Sequence, residues 1–336
     1  MAIQTANSWR AAAWRGVTAV LRGVAVCWRT ALRCVVGLTL VAAAAALPPT
    51  RGIAIIYPEV GEPYRSVFAS IIEGIEEQIG SHVPSIAIGA NPIPKEIAGE
   101  LRRQNIRVVI ALGRNGLKLA VGLERDIGVV AGGVLSIPEA EARNISVLSL
   151  APAPGLLFAR LQIFMPAAKR IFVVYDPKQN AWLMRLAKEA ANARGLELVS
   201  YEASDLKSAL RIYQDLFATA DPRRDALWLP QDSSTVDEVS VLPLVLHEAW
   251  AHNLAFFSSS VAHVRRGALF SLYPNNVEIG HRLANLALGQ MASNGQAGRG
   301  VMPLKELLLA VNVRTASHLG INLSDRQNFD LVFPEQ

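Results

Sequence analysis

The feature that most constrains the fold of this chain is a repeated alternation of short apolar runs with helical stretches. The run IAIIY at 53–57 has the length of a buried strand, and the stretch after it places apolar residues on one face with a period near 3.6 residues. Further strands are predicted at 85–89, 107–113, 127–133, 145–150, 170–176, 196–202, 225–232, 253–260, 267–273 and 308–313. This order predicts mostly parallel sheets with helices on both faces.

The alternation restarts near residue 170, which divides the body into two similar α/β halves. Because 336 residues exceed what one hydrophobic core usually serves, two lobes are expected. The predicted fold therefore has two Rossmann-like lobes whose parallel sheets face a central cleft. In sheets of this kind, ligands bind beyond the carboxyl ends of the strands.

A run of 13 uncharged, mostly apolar residues at 34–46 lies near the start of the chain. A membrane-spanning helix needs about 20 such residues, whereas a signal peptide needs about 7 to 15. Ala44 and Ala46 form an A-x-A pattern, and Leu47 is followed by two prolines that break a helix. These features predict export to the periplasm by the general secretory route with cleavage near Ala46. An uncleaved leader would tether the body to the membrane.

The leader also accounts for the whole formal charge of the chain. Residues 1–47 contain five arginines and no acidic residue, which leaves 28 basic residues in the body against 28 acidic ones. A neutral body gives no electrostatic reason to expect nucleic-acid binding. Cys27 and Cys34 both lie in the leader as well, so the body has no disulfide, thiol catalysis or cysteine-based metal site.

The usual signatures of catalytic and cofactor sites are missing from the sequence. In HEAWAH at 247–252 the histidines are five residues apart, about 140° around a helix, whereas a zinc-protease helix places them four apart. The chain contains no Walker-type phosphate loop, no G-x-G-x-x-G and no G-x-S-x-G nucleophile motif. We therefore predict no metal, no cofactor and no enzymatic activity.

Five segments between residues 167 and 323 carry a resemblance to a known family through their order and spacing. They are AAKRIFVVYDPKQN, ALWLPQDSSTV, NLAFFSSSVAHVRRGALFSL, EIGHRLANLALGQM and LAVNVRTASHLGINL. Together they resemble the ABC-transporter substrate-binding proteins with the periplasmic-binding type I fold, a family that includes tryptophan-binding lipoproteins. The resemblance spans 53 to about 322. In the first half, GRNGLK stands where the family usually has GTPAA.

The resemblance implies a monomeric, exported solute-binding protein that captures a small molecule, such as an amino acid, for an ABC permease. It implies a leader at 1–47, a first lobe of 48–150 plus about 275–305, and a second lobe of 151–274 plus about 306–330. An exported ligand-sensing or interaction protein of the same fold, uncoupled from transport, is the alternative. An envelope α/β enzyme is a third reading, for which the sequence shows no nucleophile or acid–base set.

The candidate ligand-binding residues lie at or just after the predicted strand ends. They are Tyr57, Glu59, Gly113, Asn115, Tyr175, Asn180, Asp232, Ser233, Ser234, Ser258 and Ser259.

Each candidate role has a structural alternative. By its position in the family-like LPQDSS, Asp232 is the expected partner of a ligand ammonium group, or else it caps the helix that follows. The serines donate hydroxyls to the ligand or form ordinary turns. The amides of 113–115 attract a carboxylate or form a simple turn. Tyr57 and Tyr175 stack on an aromatic ligand or pack in the core.

Overall fold

The computed structural model describes residues 52–89, 92–123, 126–135, 142–293, 298–323 and 328–334. The expected leader and its cleavage site lie outside these residues. From Thr50 onward the chain forms one unit. None of the helices in the described ranges combines the length and the apolar character that a membrane span requires.

The first sheet has six strands, and every neighbouring pair in it is parallel. In spatial order they are β11 (Gly300–Leu304), β5 (Ser146–Pro152), β4 (Gly128–Val134), β3 (Val108–Leu112), β1 (Ile53–Pro58) and β2 (Ser85–Ile88). Every residue of β3 is buried, because helices cover both faces of the sheet. The late position of β11 shows that the chain returns to this sheet after building most of the second one.

The second sheet has seven strands. In spatial order they are β13 (Leu331–Phe333), β12 (Leu307–Asn312), β10 (Phe270–Pro274), β9 (Ala255–Ser258), β8 (Asp225–Leu229), β6 (Arg170–Tyr175) and β7 (Glu197–Glu202). Only the β10–β12 pair is antiparallel among these neighbours. The predicted fold class of two α/β lobes with mostly parallel sheets is confirmed.

The helices of the described residues connect the strands across both faces of the sheets. They are α1 (Tyr64–Ile79), α2 (Pro94–Arg103), α3 (Gly113–Val121), α4 (Pro154–Phe164), α5 (Pro177–Asn192), α6 (Leu206–Thr219), α7 (Val241–Ala251), α8 (Val261–Arg266), α9 (Asn276–Ala292) and α10 (Val313–His318). Helix α6 is capped by an acidic residue, since the Asp205 carboxylate accepts the Ser208 amide at 2.8 Å.

One predicted helix needs correction, and three elements of the structure were not predicted. The sequence predicts a helix at about 235–251, but the helix begins only at Val241, where the Asp237 carboxylate accepts the amides of Ser240 and Val241. Strands β11 and β13 were not predicted, because each is a short edge strand. Helix α4 was also missed, since its apolar residues do not follow a clear helical period.

In the first lobe, α1 and α9 pack so closely that their backbones are in contact. A Cβ added at Gly74 would lie 2.0 Å from the carbonyl oxygen of Val277, and one at Gly280 would lie 2.2 Å from that of Ile71. Only glycine allows such an approach without displacement of a backbone. The two glycines therefore determine how closely α9 lies against α1.

The second lobe is filled by aromatic rings. Phe158 of α4 meets the Trp228 ring edge-on, with the two centroids 5.6 Å apart. The Phe257 ring is parallel to that of Phe270 at a centroid distance of 5.0 Å. These side chains are fully buried and bury large apolar areas.

Candidate functional site

A cavity of about 490 Å³ lies at the carboxyl ends of the strands, between the two sheets. The first lobe contributes Arg114 from α3 together with Gly133, Val134 and Leu135 from the end of β4. The second lobe contributes Gln179, Pro230, Gln231, Asp232, Ser233, Val236, Ser260 and His263. Its volume is within the range of small-molecule sites, about 300–1,000 Å³. The cavity has the position that a parallel α/β sheet predicts for a ligand.

The buried carboxylate of Asp232 is held by three hydrogen bonds from its own lobe. Its Oδ2 accepts the Asp176 amide at 2.7 Å and the Asn180 side-chain amide at 2.8 Å. Its Oδ1 accepts the Ser234 amide at 3.0 Å. A carboxylate has about four acceptor positions, so little capacity remains for a ligand. Asp232 thus ties the loop after β8 to the beginning of α5.

Two of the candidate residues beside Asp232 have different environments. Ser233 is exposed and lines the cavity. The Ser234 hydroxyl accepts a 2.8 Å hydrogen bond from the side-chain amide of Gln179. Gln179 itself lines the cavity, so Ser234 positions a residue of the cavity wall.

Ser258 and Ser259 lie behind the wall of the cavity. The buried Ser258 hydroxyl donates to the Leu229 carbonyl at 3.1 Å and lies 2.7 Å from Nδ1 of His263. The Ser259 hydroxyl accepts the indole N–H of Trp228 at 3.1 Å. Neither serine is among the residues that line the cavity. Their hydroxyls stabilise the end of β9.

A serine–histidine–carboxylate series therefore exists in the second lobe, but its geometry is not that of a nucleophile. Nε2 of His263 lies 3.4 Å from the Glu238 carboxylate, and burial lowers the pKa of His263 while Glu238 opposes that shift. A reactive serine needs an accessible hydroxyl, whereas Ser258 is fully buried. The series serves the packing of α8 against β9.

In the first lobe, α3 begins at the cavity. Gly113 has a φ of +70°, and a Cβ there would lie 3.1 Å from the Phe68 ring. The glycine therefore allows the chain to enter α3 directly from β3. Arg114 follows with an exposed side chain that lines the cavity, whereas Asn115 is exposed and lies outside the lining.

The other candidates lie away from the cavity. Tyr57 is half-buried against the first core, and Glu59 is exposed. The Tyr175 ring lies in the core of the second lobe, and its hydroxyl donates to Glu202 at 2.9 Å. Burial, with the Glu202 carboxylate, raises the pKa of Tyr175 to about 12. Asn180 donates to Asp232 and is not among the residues that line the cavity.

Sequence reasoning missed several residues that line the cavity, notably Leu135, Gln179, Gln231 and His263. Gln231 is directly next to Asp232 in the strand-end loop, so its position was the available signal. Its Oε1 is buried and has no hydrogen-bond partner among the described residues. A buried acceptor without a donor is costly, and a bound ligand can supply that donor.

Comparisons with known proteins agree with this architecture. A family model described as ABC transporter substrate binding protein matches residues 159–328. The ligand-free, open structure of CD0873, a substrate binding protein with adhesive properties from Clostridium difficile, is similar with a TM-score of 0.61 at 19% identity. The alignment covers 84% of this chain and 99% of that one.

Two further solved structures share the fold over the same fractions of the chains, 84% of this one and 99% of each of them. One is an ABC domain in complex with L-Trp from Streptococcus pneumonia, with a TM-score of 0.52 and 14% identity. The other is a conserved domain protein from Vibrio cholerae, with a TM-score of 0.52 and 19% identity. No curated protein matches the sequence. Because the family model spans half of the chain, the protein belongs to the ABC transporter substrate-binding protein family.

Proposed function

We propose that this solute-binding protein captures a small zwitterionic solute, such as an amino acid, between its lobes and delivers it to an ABC permease. The observation that carries the proposal is the cavity at the carboxyl ends of both sheets, where Arg114 of one lobe and Gln231 of the other contribute to a single lining. A ligand held by groups from both lobes stabilises the closed arrangement of the lobes.

The polar groups of the cavity suit the two ends of a zwitterion. The Arg114 guanidinium and the first amides of α3 would bind the carboxylate. The unpartnered Oε1 of Gln231 would accept a hydrogen bond from the ammonium group. Asp232 lies beside it but already accepts three hydrogen bonds, so we assign it the role of positioning this loop.

The remaining wall suits an apolar side chain. Val134 and Leu135 line the cavity from the first lobe, and Pro230 and Val236 line it from the second. Leu135 is 46% exposed although it is a large apolar residue. Covering these groups with an apolar ligand removes their surface from water, which favours binding.

The lobe boundaries proposed for this function are 48–150 plus about 275–305 and 151–274 plus about 306–330. The membership of the strands in the two sheets supports this division. The family of the chain supports export, and the signal-peptide pattern at 34–46 supports cleavage near Ala46.

A second candidate function is an exported ligand sensor that is not coupled to transport. The family match begins at residue 159, so the part of the first lobe that contributes Arg114 and Leu135 lies outside it. Deleting the gene should abolish uptake of the solute if the protein serves a permease. Uptake that continues unchanged, together with a lost response to the solute, would favour the sensor.

The test of solute binding uses protein exported by cells that express the full chain. The protein is screened by thermal shift against amino acids, nucleosides and small carboxylates. Only a zwitterion should stabilise the folded protein, by about 2.7 kcal/mol at a concentration a hundredfold above its Kd. We expect Arg114→Gln to weaken binding about ten- to a hundredfold, since it removes a charged hydrogen-bond donor.

Arg211→Gln is the matched control, because Arg211 is an exposed arginine of α6 outside the cavity lining. A zwitterion that binds the Arg114→Gln and Arg211→Gln variants equally well would contradict the assigned role of Arg114. A panel without any stabilising compound would contradict the proposed function.

A further inference from the structure

A second cavity of about 490 Å³ lies in the second lobe, at the ends of the strands that point away from the cleft. Leu254 and Phe256 at the beginning of β9 contribute to its lining, as do Gly267 before β10 and Asn312 at the end of the antiparallel strand β12. These positions are the amino ends of β9 and β10, whereas the solute cavity lies at their carboxyl ends. The two cavities are therefore separate sites.

The lining of this second cavity is strongly cationic. Arg265, Arg266 and Arg314 contribute to it, and none of its lining residues is acidic among those the structure describes. Arg266 is partly neutralised by Glu238, whose carboxylate lies 2.7 Å away. Arg314 forms no ion pair with any described residue and lies instead 5.6 Å from the Trp250 ring. Arg314 thus brings to the cavity a positive charge that no described acidic residue pairs with.

An aromatic wall adjoins these arginines. Trp250 is 43% exposed, and its ring stacks on that of His318 at a centroid distance of 3.6 Å. Nε2 of His318 lies 3.1 Å from the Trp250 carbonyl oxygen, a contact that fixes the orientation of the stacked pair. Leu246, Leu254 and Phe256 contribute apolar surface to the lining. The site combines a flat apolar surface with guanidinium groups.

We propose that this cavity binds a small aromatic carboxylate, independently of the solute in the cleft. Guanidinium groups bind carboxylates through paired, charge-assisted hydrogen bonds, and no described carboxylate occupies the Arg314 guanidinium in this way. The ring of the ligand packs on the exposed part of Trp250 and on the aliphatic side chains of the lining. The volume matches that of small-molecule sites.

The experiment is a calorimetric titration of the full chain with indole-3-acetate and with its uncharged counterpart, indole-3-acetamide. The acid should bind, and the amide should bind at least tenfold more weakly because it has no negative charge and no second acceptor oxygen for an arginine. Arg314→Gln should weaken binding of the acid about ten- to a hundredfold. Trp250→Leu should weaken both compounds, since it removes the flat surface on which either ring packs.

Two controls separate this site from the cleft and from unspecific charge effects. Arg114→Gln should leave the binding of indole-3-acetate unchanged, because Arg114 lies in the other cavity. Arg211→Gln should also leave it unchanged, and circular dichroism will show that each variant is folded. Inorganic phosphate should not compete, since it lacks an apolar body.

Several results would overturn the proposal. They are no heat of binding with millimolar indole-3-acetate, equal binding of acid and amide, and equal effects of Arg314→Gln and Arg211→Gln. Loss of binding in Arg114→Gln alone would assign the acid to the cleft. That last result would leave the proposed solute function standing, so the failures of the two proposals are distinguishable.

Discussion

The two lobes contain the same kind of sheet but pack their helices in different ways. In the first lobe, Gly74 and Gly280 bring two helix backbones into contact, where no Cβ can be accommodated. In the second lobe, Phe158, Trp228 and Phe257 fill the space between helix and sheet with interlocking rings. The first arrangement is therefore sensitive to added volume, and the second to removed volume.

The largest effect is expected where a ring is removed from the second lobe. Trp228→Ala should lower the free energy of unfolding by about 4 kcal/mol, because it leaves a large cavity among fully buried rings. It also leaves the Ser259 hydroxyl without the donor it has now. Denaturant unfolding measures the change. A loss below about 1 kcal/mol would show that the rings around Trp228 repack, in contrast to the behaviour of most cores.

A smaller loss of stability is expected where a side-chain atom is added in the first lobe. Gly280→Ala should destabilise the protein by about 2–3 kcal/mol, because its methyl group would overlap the Ile71 carbonyl and force α1 and α9 apart. Gly289→Ala on the same helix is the matched control, since nothing lies within 4 Å of a Cβ there. That control should stabilise the protein by up to about 1 kcal/mol through helix propensity. Equal effects of the two substitutions would contradict the backbone contact.

The smallest expected effect concerns two histidines whose pKa values shift in opposite directions. Burial lowers the pKa of His263 in the second lobe, so the unfolded chain binds the proton more readily and stability falls as the pH drops below 6.5. Hydrogen bonding to Glu77 raises the pKa of His281 between α1 and α9 in the first lobe, so its contribution is present at low pH and is lost as the pH rises through that raised value.

The pH dependence of unfolding in single variants tests this difference. His263→Gln should flatten the loss of stability on the acidic side of pH 6.5. His281→Gln should flatten a weaker loss above that pH, because the His281 site is partly solvated and its interactions are screened. Slopes of the same sign for the two histidines would contradict the assigned environments.

The sequence predicts where the candidate site lies better than it predicts which side chains line it. The strand-end rule led to the loops that contain Gly113, Asp232 and Ser233, and the cavity lies between them. The same rule selected Tyr175 and Ser258, whose hydroxyls are engaged by Glu202 and by Leu229 and His263. A strand end places successive side chains in different directions, and sequence alone does not show which partner each polar group finds. Ligand contact by these residues stays a prediction.

Sequence by itself determined the fold class, the two-lobed organisation and the strand ends at which the cavity between the lobes lies. These follow from local periodicity and from the order of strands and helices, which neighbouring residues encode. Only the tertiary structure decided that Asp232 is occupied within its own lobe, that Arg114 and Gln231 line one cavity, and that Trp250 and Arg314 adjoin a second one. Those relations join residues that are far apart in the chain, so they depend on how the strands pair and the helices pack.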